Sequence, residues 1–218
     1  MKLPHWRIVV LLVGVFVLGV FMLRPLPAGT DDLSPKGYLK ARIDEVLQAL
    51  NDPAFKKNKK LLEEKLTKLF RQQFDIAYTT KLSLGRHWRQ LTPQQKKEFV
   101  PLFADLLQST YIGRIDDYNA QQIEIRYGKE LLRGKKALVK TTIISQGKEI
   151  PVDYKMINRN SHWKVYDVIV EQVSLVRNYR SQFDDYLQKK SVADLMADLR
   201  VKIEENRANR AEKREAKK

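Results

Sequence analysis

The chain has no cysteine among its 218 residues, which excludes a disulfide framework, a thiolate zinc or iron–sulfur centre and a cysteine nucleophile. Histidine is almost as scarce. His5, His87 and His162 are the whole set, too few for a multi-histidine metal site. A glycine-rich phosphate loop and a G-x-S-x-G turn are both missing, so nucleotide and serine-triad chemistry lack their usual frames. His87 sits in Leu84-Gly-Arg-His-Trp-Arg89 and His162 opens a strand after a turn; neither neighbours a strained serine. The carboxylate pairs Asp116-Asp117 and Asp184-Asp185 are adjacent in sequence, so on a helix they point to different sides and read as solvated surface. No catalytic residue, metal or cofactor is expected, and the chain does not read as an enzyme. No internal repeat is apparent.

What is present is apolar area and positive charge. Residues classed as hydrophobic make up 43% of the chain, enough to bury a core. There are 41 Lys and Arg against 26 Asp and Glu, a net charge of +15. No zinc finger, RNP aromatic pair or GXXG loop accompanies that charge, so nucleic acid is not the expected partner.

The N-terminus speaks to location. Lys2 and Arg7 precede sixteen uncharged residues, Ile8 to Leu23, which Arg24, Pro25 and Pro27 close. A basic flank before an apolar run is an export signal. Leu26-Pro-Ala28 offers a cleavage site of the small-residue kind, whereas an uncleaved anchor needs about 17–25 apolar residues. Both alternatives stay open, and both export everything after about residue 28. Removing residues 1–27 takes away three basic residues and no acid, leaving +12. Lipid headgroups and other anionic envelope components are the polyanions at hand there. The expected organisation is a signal peptide or anchor over 1–28, a domain over 29–203 and a charged tail over 204–218.

Periodicity supplies the fold class. Ser34-Pro35 is an N-cap with proline at the first helical position, and Leu39, Ile43, Val46, Leu47 and Leu50 follow at helical spacing. Leu62, Leu66, Leu69 and Phe70 mark a second helix, and Phe74 to Leu84 reads as a helical continuation up to Gly85. Thr92-Pro93-Gln94-Gln95 is a capping box. Phe99, Leu102, Phe103, Leu106, Thr110 and Tyr111 then share one helix face, with a kink expected at Pro101. From about Gln121 the period becomes two. Strands are predicted around Ile123–Tyr127, Ala137–Ile144, Ile150–Ile157 and His162–Val170, with turns at Leu131–Gly134, Gly147 and Asn158–Ser161. Ser174 and Ser191 begin two further helices, and Trp163 is placed to plug one end of the core. Helices, then a four-stranded antiparallel meander, then helices describe an α+β domain. Such a sheet and its helices can close around a solid core or around an apolar cavity, and periodicity does not choose.

An ordered set of motifs resembles the MlaC family of periplasmic phospholipid-binding proteins, the toluene-tolerance Ttg type. It comprises Phe74-Asp75, Leu84-Gly85-Arg86-His87-Trp88-Arg89-Gln90-Leu91-Thr92-Pro93-Gln94-Gln95 with Glu98-Phe99, and Phe103-Ala-Asp-Leu-Leu107 running to Tyr111. Ile150-Pro-Val-Asp-Tyr154, Trp163-Lys-Val-Tyr-Asp167, Ser174-Leu-Val176, Asn178-Tyr-Arg180 and Gln182-Phe183 continue it. The set spans about residues 35–200. Gln172 stands where this family commonly shows glycine, and the tail after residue 204 lies outside the resemblance. The resemblance implies a carrier that moves phospholipid between an inner-membrane ABC transporter complex and an outer-membrane lipoprotein complex, with lipid as cargo and no catalytic residues. The acyl wall is expected on Val139, Thr141, Ile143, Val152, Tyr154, Met156, Val165 and Ile169, with Phe99, Phe103 and Leu106 from the long helix. On the fourth strand the inward parity is open, because Tyr166, Val168 and Val170 are apolar too. The competing expectation is a membrane-tethered periplasmic interaction module with a filled core.

Overall fold

The computed structural model describes residues 34–112, 123–145 and 147–216. The export signal or anchor expected over residues 8–23 and the Asp116-Asp117 pair lie outside the described residues. Within them, no helix is long and apolar enough to cross a membrane. The chain forms two compact units, Met1–Phe74 with Asn119–Ser174 and Asp75–Tyr118 with Leu175–Lys218.

The first unit opens with three helices that follow one another by shared caps. Helix α1 (Pro35–Asn51) starts where Ser34 Oγ accepts the Gly37 N–H at 3.1 Å. Asp52 caps α2 (Pro53–Lys57), and Asn58 caps α3 (Lys59–Gln73). Each cap satisfies an N–H that the helix cannot satisfy itself. Leu39, Ile43, Val46, Leu47 and Leu50 of α1 and Leu62, Leu66, Leu69 and Phe70 of α3 are buried, as their spacing requires. Helix α1 packs on α3 and on the first two strands, and α3 packs on the fourth.

The sheet is an antiparallel meander in sequence order: β1 (Ile123–Arg133), β2 (Lys136–Ser145), β3 (Lys148–Arg159), β4 (His162–Val170) and β5 (Val173–Ser174). The α+β expectation holds, with two differences. A short fifth strand follows β4, after a turn in which Glu171 and the non-glycine Gln172 both take positive φ (47° and 68°). Strand β1 also runs through Leu131–Arg133, where a turn was expected. The turn proper is Gly134-Lys135, with Gly134 at φ +56°, and this hairpin end leaves Leu131 and Leu132 exposed.

One irregularity fixes the parity of β4. Lys155 pairs with Asp167 but Met156 pairs with Val165, so Tyr166 is an extra residue in the ladder. Such a bulge switches the face of everything beyond it. Val165 therefore points inward before the bulge, and Val168 and Val170 point inward after it. Ile169, expected on the inner face, is half-buried and opposite Asp153. That placement corrects the sequence expectation. Asp167, itself 2% exposed, accepts from Ser174 Oγ at 2.7 Å and from Lys155 Nζ at 3.1 Å, which secures β5 and the bulge.

The second unit is helical: α4 (Ile76–Leu84), a 3-10 turn (Gly85–Arg89), α5 (Pro93–Tyr111), α6 (Leu175–Leu187) and α7 (Val192–Glu215). Phe74 does not continue α3. It is extended (φ −94°, ψ 139°), and Asp75 caps α4 by accepting the Tyr78 N–H at 3.0 Å. The expected capping box is present, Thr92 Oγ1 accepting from Gln95 N–H while Gln95 Oε1 accepts from Thr92 N–H. Helix α5 is continuous through Pro101. Phe99 and Phe103 of α5 meet Tyr179 and Phe183 of α6 in an aromatic cluster with ring centroids 5.0–6.5 Å apart. The charged tail after residue 203, expected as a frayed or solvated helix, continues α7 to Glu215: Ile203 is buried, and Asn206 Nδ2 donates to Ser109 Oγ at 3.2 Å and Thr110 Oγ1 at 3.3 Å.

Candidate functional site

A cleft opens inside the first unit, between α1, α3 and the inner face of the sheet. Leu39, Ile43 and Val46 of α1 form one wall, and Leu69 and Phe70 of α3 with Phe74 form the other. Tyr154, Met156 and Val165 supply the floor. The walls follow from local sequence: two helices with apolar stripes start from adjacent caps, and Phe74 joins Val165 by a single parallel bridge that seats the end of α3 against β4. Three polar side chains also reach the cleft. Tyr38 Oη donates to Gln73 Oε1 at 2.9 Å, linking α1 to α3. Arg42 stacks over the Tyr38 ring, 5.5 Å from its centroid, and pairs through Nη1 with Glu45 Oε1 at 2.7 Å.

The cleft holds about 480 Å³ of unfilled space counting its open mouth, of which about 40 Å³ is wide enough to admit the centre of a water molecule. Drug-sized ligands occupy sites of about 300–1,000 Å³. The ready-made hollow allowed for by the sequence is therefore largely closed in this conformation. Burial raises the Tyr154 phenol well above its ordinary pKa, so the floor carries no charge at neutral pH.

The sequence-expected wall residues divide into groups. Tyr154, Met156 and Val165 line the cleft. Val139, Ile143 and Val152 are wholly buried on the same sheet, and Thr141 is buried with its hydroxyl donated to the Val152 carbonyl at 2.7 Å. Phe99, Phe103 and Leu106 are buried in the second unit, where the two phenylalanines pack on Tyr179 and Phe183. Sequence reasoning assigned no cleft role to α1 or α3. A signal was available: Arg42 interrupts the apolar stripe three residues after Leu39 and four before Val46, where a solvated arginine is out of place.

His87 is 7% exposed, with Nε2 2.8 Å from Asp184 Oδ1 and Nδ1 3.3 Å from Gln90 Oε1. Arg86 Nη2 meets the same Asp184 oxygen at 2.9 Å. Gly85, at φ +56°, lets Arg180 approach; a Cβ there would lie 3.2 Å from Arg180 Nε, which donates to the Leu82 carbonyl at 2.8 Å. The Leu84–Arg89 motif thus clamps α6, and Asp184 is a partner in that clamp and not idle surface. Among the described residues, no group of three or more metal-ligating side chains gathers. The hydrogen bond from His87, followed by that from Gln188 and the charge of Arg86, holds the Asp184 carboxyl below its ordinary pKa. A carboxylate with a lowered folded-state pKa stabilises above its unfolded value, near 4, and the stabilisation fades as pH falls through the folded value. Asp184→Asn should therefore be less stable than the parent at pH 7, with a smaller gap in acid below the ordinary carboxylate value of about 4. Urea unfolding at the two pH values measures it.

Comparison with known proteins bears on this fold and cleft together. The sequence model described as MlaC protein matches residues 40–201. The chain belongs to the MlaC family. Among relatives, the intermembrane phospholipid transport system binding protein MlaC of Haemophilus influenzae is 22% identical over 129 residues, 57% of this chain and 60% of that one. The toluene tolerance protein ttg2D of Pseudomonas putida is 28% identical over 177 residues, 79% of this chain and 80% of that one. The chain therefore spans less than two thirds of the Haemophilus MlaC protein. In structure, the phospholipid-binding protein of Ralstonia solanacearum, solved in complex with a phospholipid at 1.53 Å, aligns with a TM-score of 0.70 at 25% identity. That alignment covers 80% of this chain and 99% of the other. Residues 40–201 take in most of α1, all of α3 and all five strands, so every cleft-lining residue except Tyr38 and Leu39 falls inside the matched MlaC segment.

Proposed function

We propose that the chain is a periplasmic phospholipid carrier of an Mla-type transport system, binding acyl chains in the cleft of the first unit and leaving the headgroup at its mouth. The observation that carries this reading is the apolar cleft between α1, α3 and the sheet in a fold that matches a phospholipid-bound relative over nearly its whole length. The physical case is simple. Exposing a methylene to water costs ~0.8 kcal/mol. Two acyl chains of some thirty methylenes would thus cost on the order of 20 kcal/mol to carry through water bare. A carrier must replace that water with apolar wall while keeping the phosphate wet, because an unpaired buried phosphate is costly.

The acyl wall we assign is Leu39, Ile43, Val46, Leu69, Phe70 and Phe74 over a floor of Tyr154, Met156 and Val165. The remaining inward sheet residues, Val139, Thr141, Ile143 and Val152, back that floor. Since the closed cleft is too narrow for a fatty tail, uptake needs α1 and α3 to part, and the Tyr38–Gln73 hydrogen bond is one of the contacts that resist it. On this reading lipid passes between an inner-membrane ABC transporter complex and an outer-membrane lipoprotein complex, and the protein performs no reaction on it. The apolar run at residues 8–23 either exports the chain and is removed or tethers it to the inner membrane.

The narrowness of the cleft favours the rival reading, an interaction module with a filled core. Extraction of the purified full chain followed by mass spectrometry separates the two. Co-purified phospholipid in near-stoichiometric amount, replenished from vesicles after delipidation, is the expected result. A lipid-free protein that takes up none would leave the module.

A further inference from the structure

Arg42 is the one charged side chain among the described residues that line the cleft. It is one-fifth exposed, which sets it at the mouth and not in the floor. Its donors are only partly used. Nη1 meets Glu45 Oε1 at 2.7 Å, but Nε is buried with no hydrogen-bond partner. A desolvated N–H without an acceptor is a standing cost to the fold, and a guanidinium N–H is a stronger donor than a neutral one. The Tyr38 ring 5.5 Å away holds the guanidinium plane in place, and Tyr38 is itself held by Gln73. The result is a pre-oriented fork with an unfilled donor at the edge of an apolar cleft.

We propose that Arg42 recognises the phosphodiester of a lipid headgroup, its Nε–H and a terminal N–H grasping the two anionic oxygens, with Glu45 as the resident anion that the phosphate displaces. This rests on the carrier reading and adds to it the residue that senses the headgroup. A tetrahedral phosphate offers two oxygens at a spacing that an arginine edge meets in bidentate fashion and a lysine does not. Glu45 lies three residues on, one helical turn away on the same face. It holds the fork while the cleft is empty and opposes anion binding by competing for Nη1. Loading thus exchanges an intrahelical ion pair for a pair with cargo. A tail without phosphate leaves the exchange undone.

The test uses the delipidated full chain and vesicles carrying a fluorescent lipid, either phosphatidylglycerol or diacylglycerol of the same tails. Arg42→Gln should cut equilibrium uptake of phosphatidylglycerol by about tenfold while leaving diacylglycerol within about twofold, in line with loss of a bidentate charged pair. Arg42→Lys should restore little of the phosphatidylglycerol uptake, and Glu45→Gln should raise it. Equal losses for both lipids, or no loss for either, would overturn the assignment while leaving the carrier reading intact. A parent chain that takes up neither lipid would remove the carrier reading instead. Inorganic phosphate that competes with phosphatidylglycerol at low millimolar concentration, through Arg42, would mark a free-anion site and also overturn the headgroup assignment. Should Arg42→Gln not fold, as judged by its thermal transition, Arg42→Lys carries the comparison by itself.

Discussion

If the chain carries phospholipid as proposed, Ile43→Trp should strip it of that lipid while leaving it folded. Ile43 lines the cleft wall and is only 4% exposed, so a larger side chain at this position grows into the unfilled space. Overpacking of a core position costs about 1–3 kcal/mol, a loss that a folded domain can absorb. Binding suffers far more in proportion. An indole that excludes as few as two methylenes of an acyl chain forfeits ~1.6 kcal/mol, more than about tenfold in affinity. Lipid per mole of purified protein, counted by mass spectrometry beside a thermal melt, is the measurement. Retention of the parent's lipid content in a folded Ile43→Trp chain would show that the cleft is not where the tails lie.

Phe103→Ala should have the opposite profile, a large loss of stability with lipid content per folded molecule preserved. Phe103 is wholly buried, and its ring meets Phe99 at 6.5 Å, Tyr179 at 5.0 Å and Phe183 at 5.5 Å. Buried Phe-to-Ala changes cost about 3–5 kcal/mol, and edge-to-face ring pairs add about 0.5–1.5 kcal/mol each beyond area burial. The expected loss is about 4 kcal/mol, read from urea unfolding followed by helical circular dichroism. Phe183→Ala in the same background should add less than it costs alone, because the two rings share partners. A Phe103→Ala chain that folds normally but loses its lipid would instead restore the long helix to the acyl wall.

The contrast between these two residues shows where sequence reading works and where it stops. Ile43 and Phe103 each sit on an apolar stripe at helical spacing, and both stripes are buried as the spacing demands. A stripe says that a face is covered, not by what. Phe99 and Phe103 were therefore expected beside the strands, and their rings pack on Tyr179 and Phe183 instead. The strands were legible from alternation over β2 and β3, where one face is apolar and the other carries Lys140, Thr142, Asp153 and Lys155. On β4 the run from Val165 to Val170 is apolar on both faces except for Asp167. A single inserted residue at Tyr166 then changes the parity with no trace in the pattern. Residues Leu131–Arg133 were hidden for the reverse reason: the strand continues there with nothing covering it, so burial leaves no alternation to read. Caps were the most faithful signals, since Ser34, Thr92 and Ser191 act through bonds to residues three positions away. The cleft depends on contacts across the first unit and was invisible as a location, although Tyr154, Met156 and Val165 of the expected acyl wall do line it.

The first unit is assembled from two stretches of chain, with α4, the 3-10 turn and α5 coming between them in sequence. The Lys36 N–H reaches Glu130 across 94 residues, and Lys164 reaches the Gln72 carbonyl across 92. A polypeptide leaving the ribosome N-terminus first shows the greasy stripes of α1 and α3 well before the strands that shelter them have been made. Contacts at such sequence separation form late, and the waiting segments are prone to stick to one another or to neighbours. A chaperone that shields residues 35–74 until residue 174 has appeared would answer that exposure, and a ribosome stalled anywhere earlier would leave two helices with nothing to lie against.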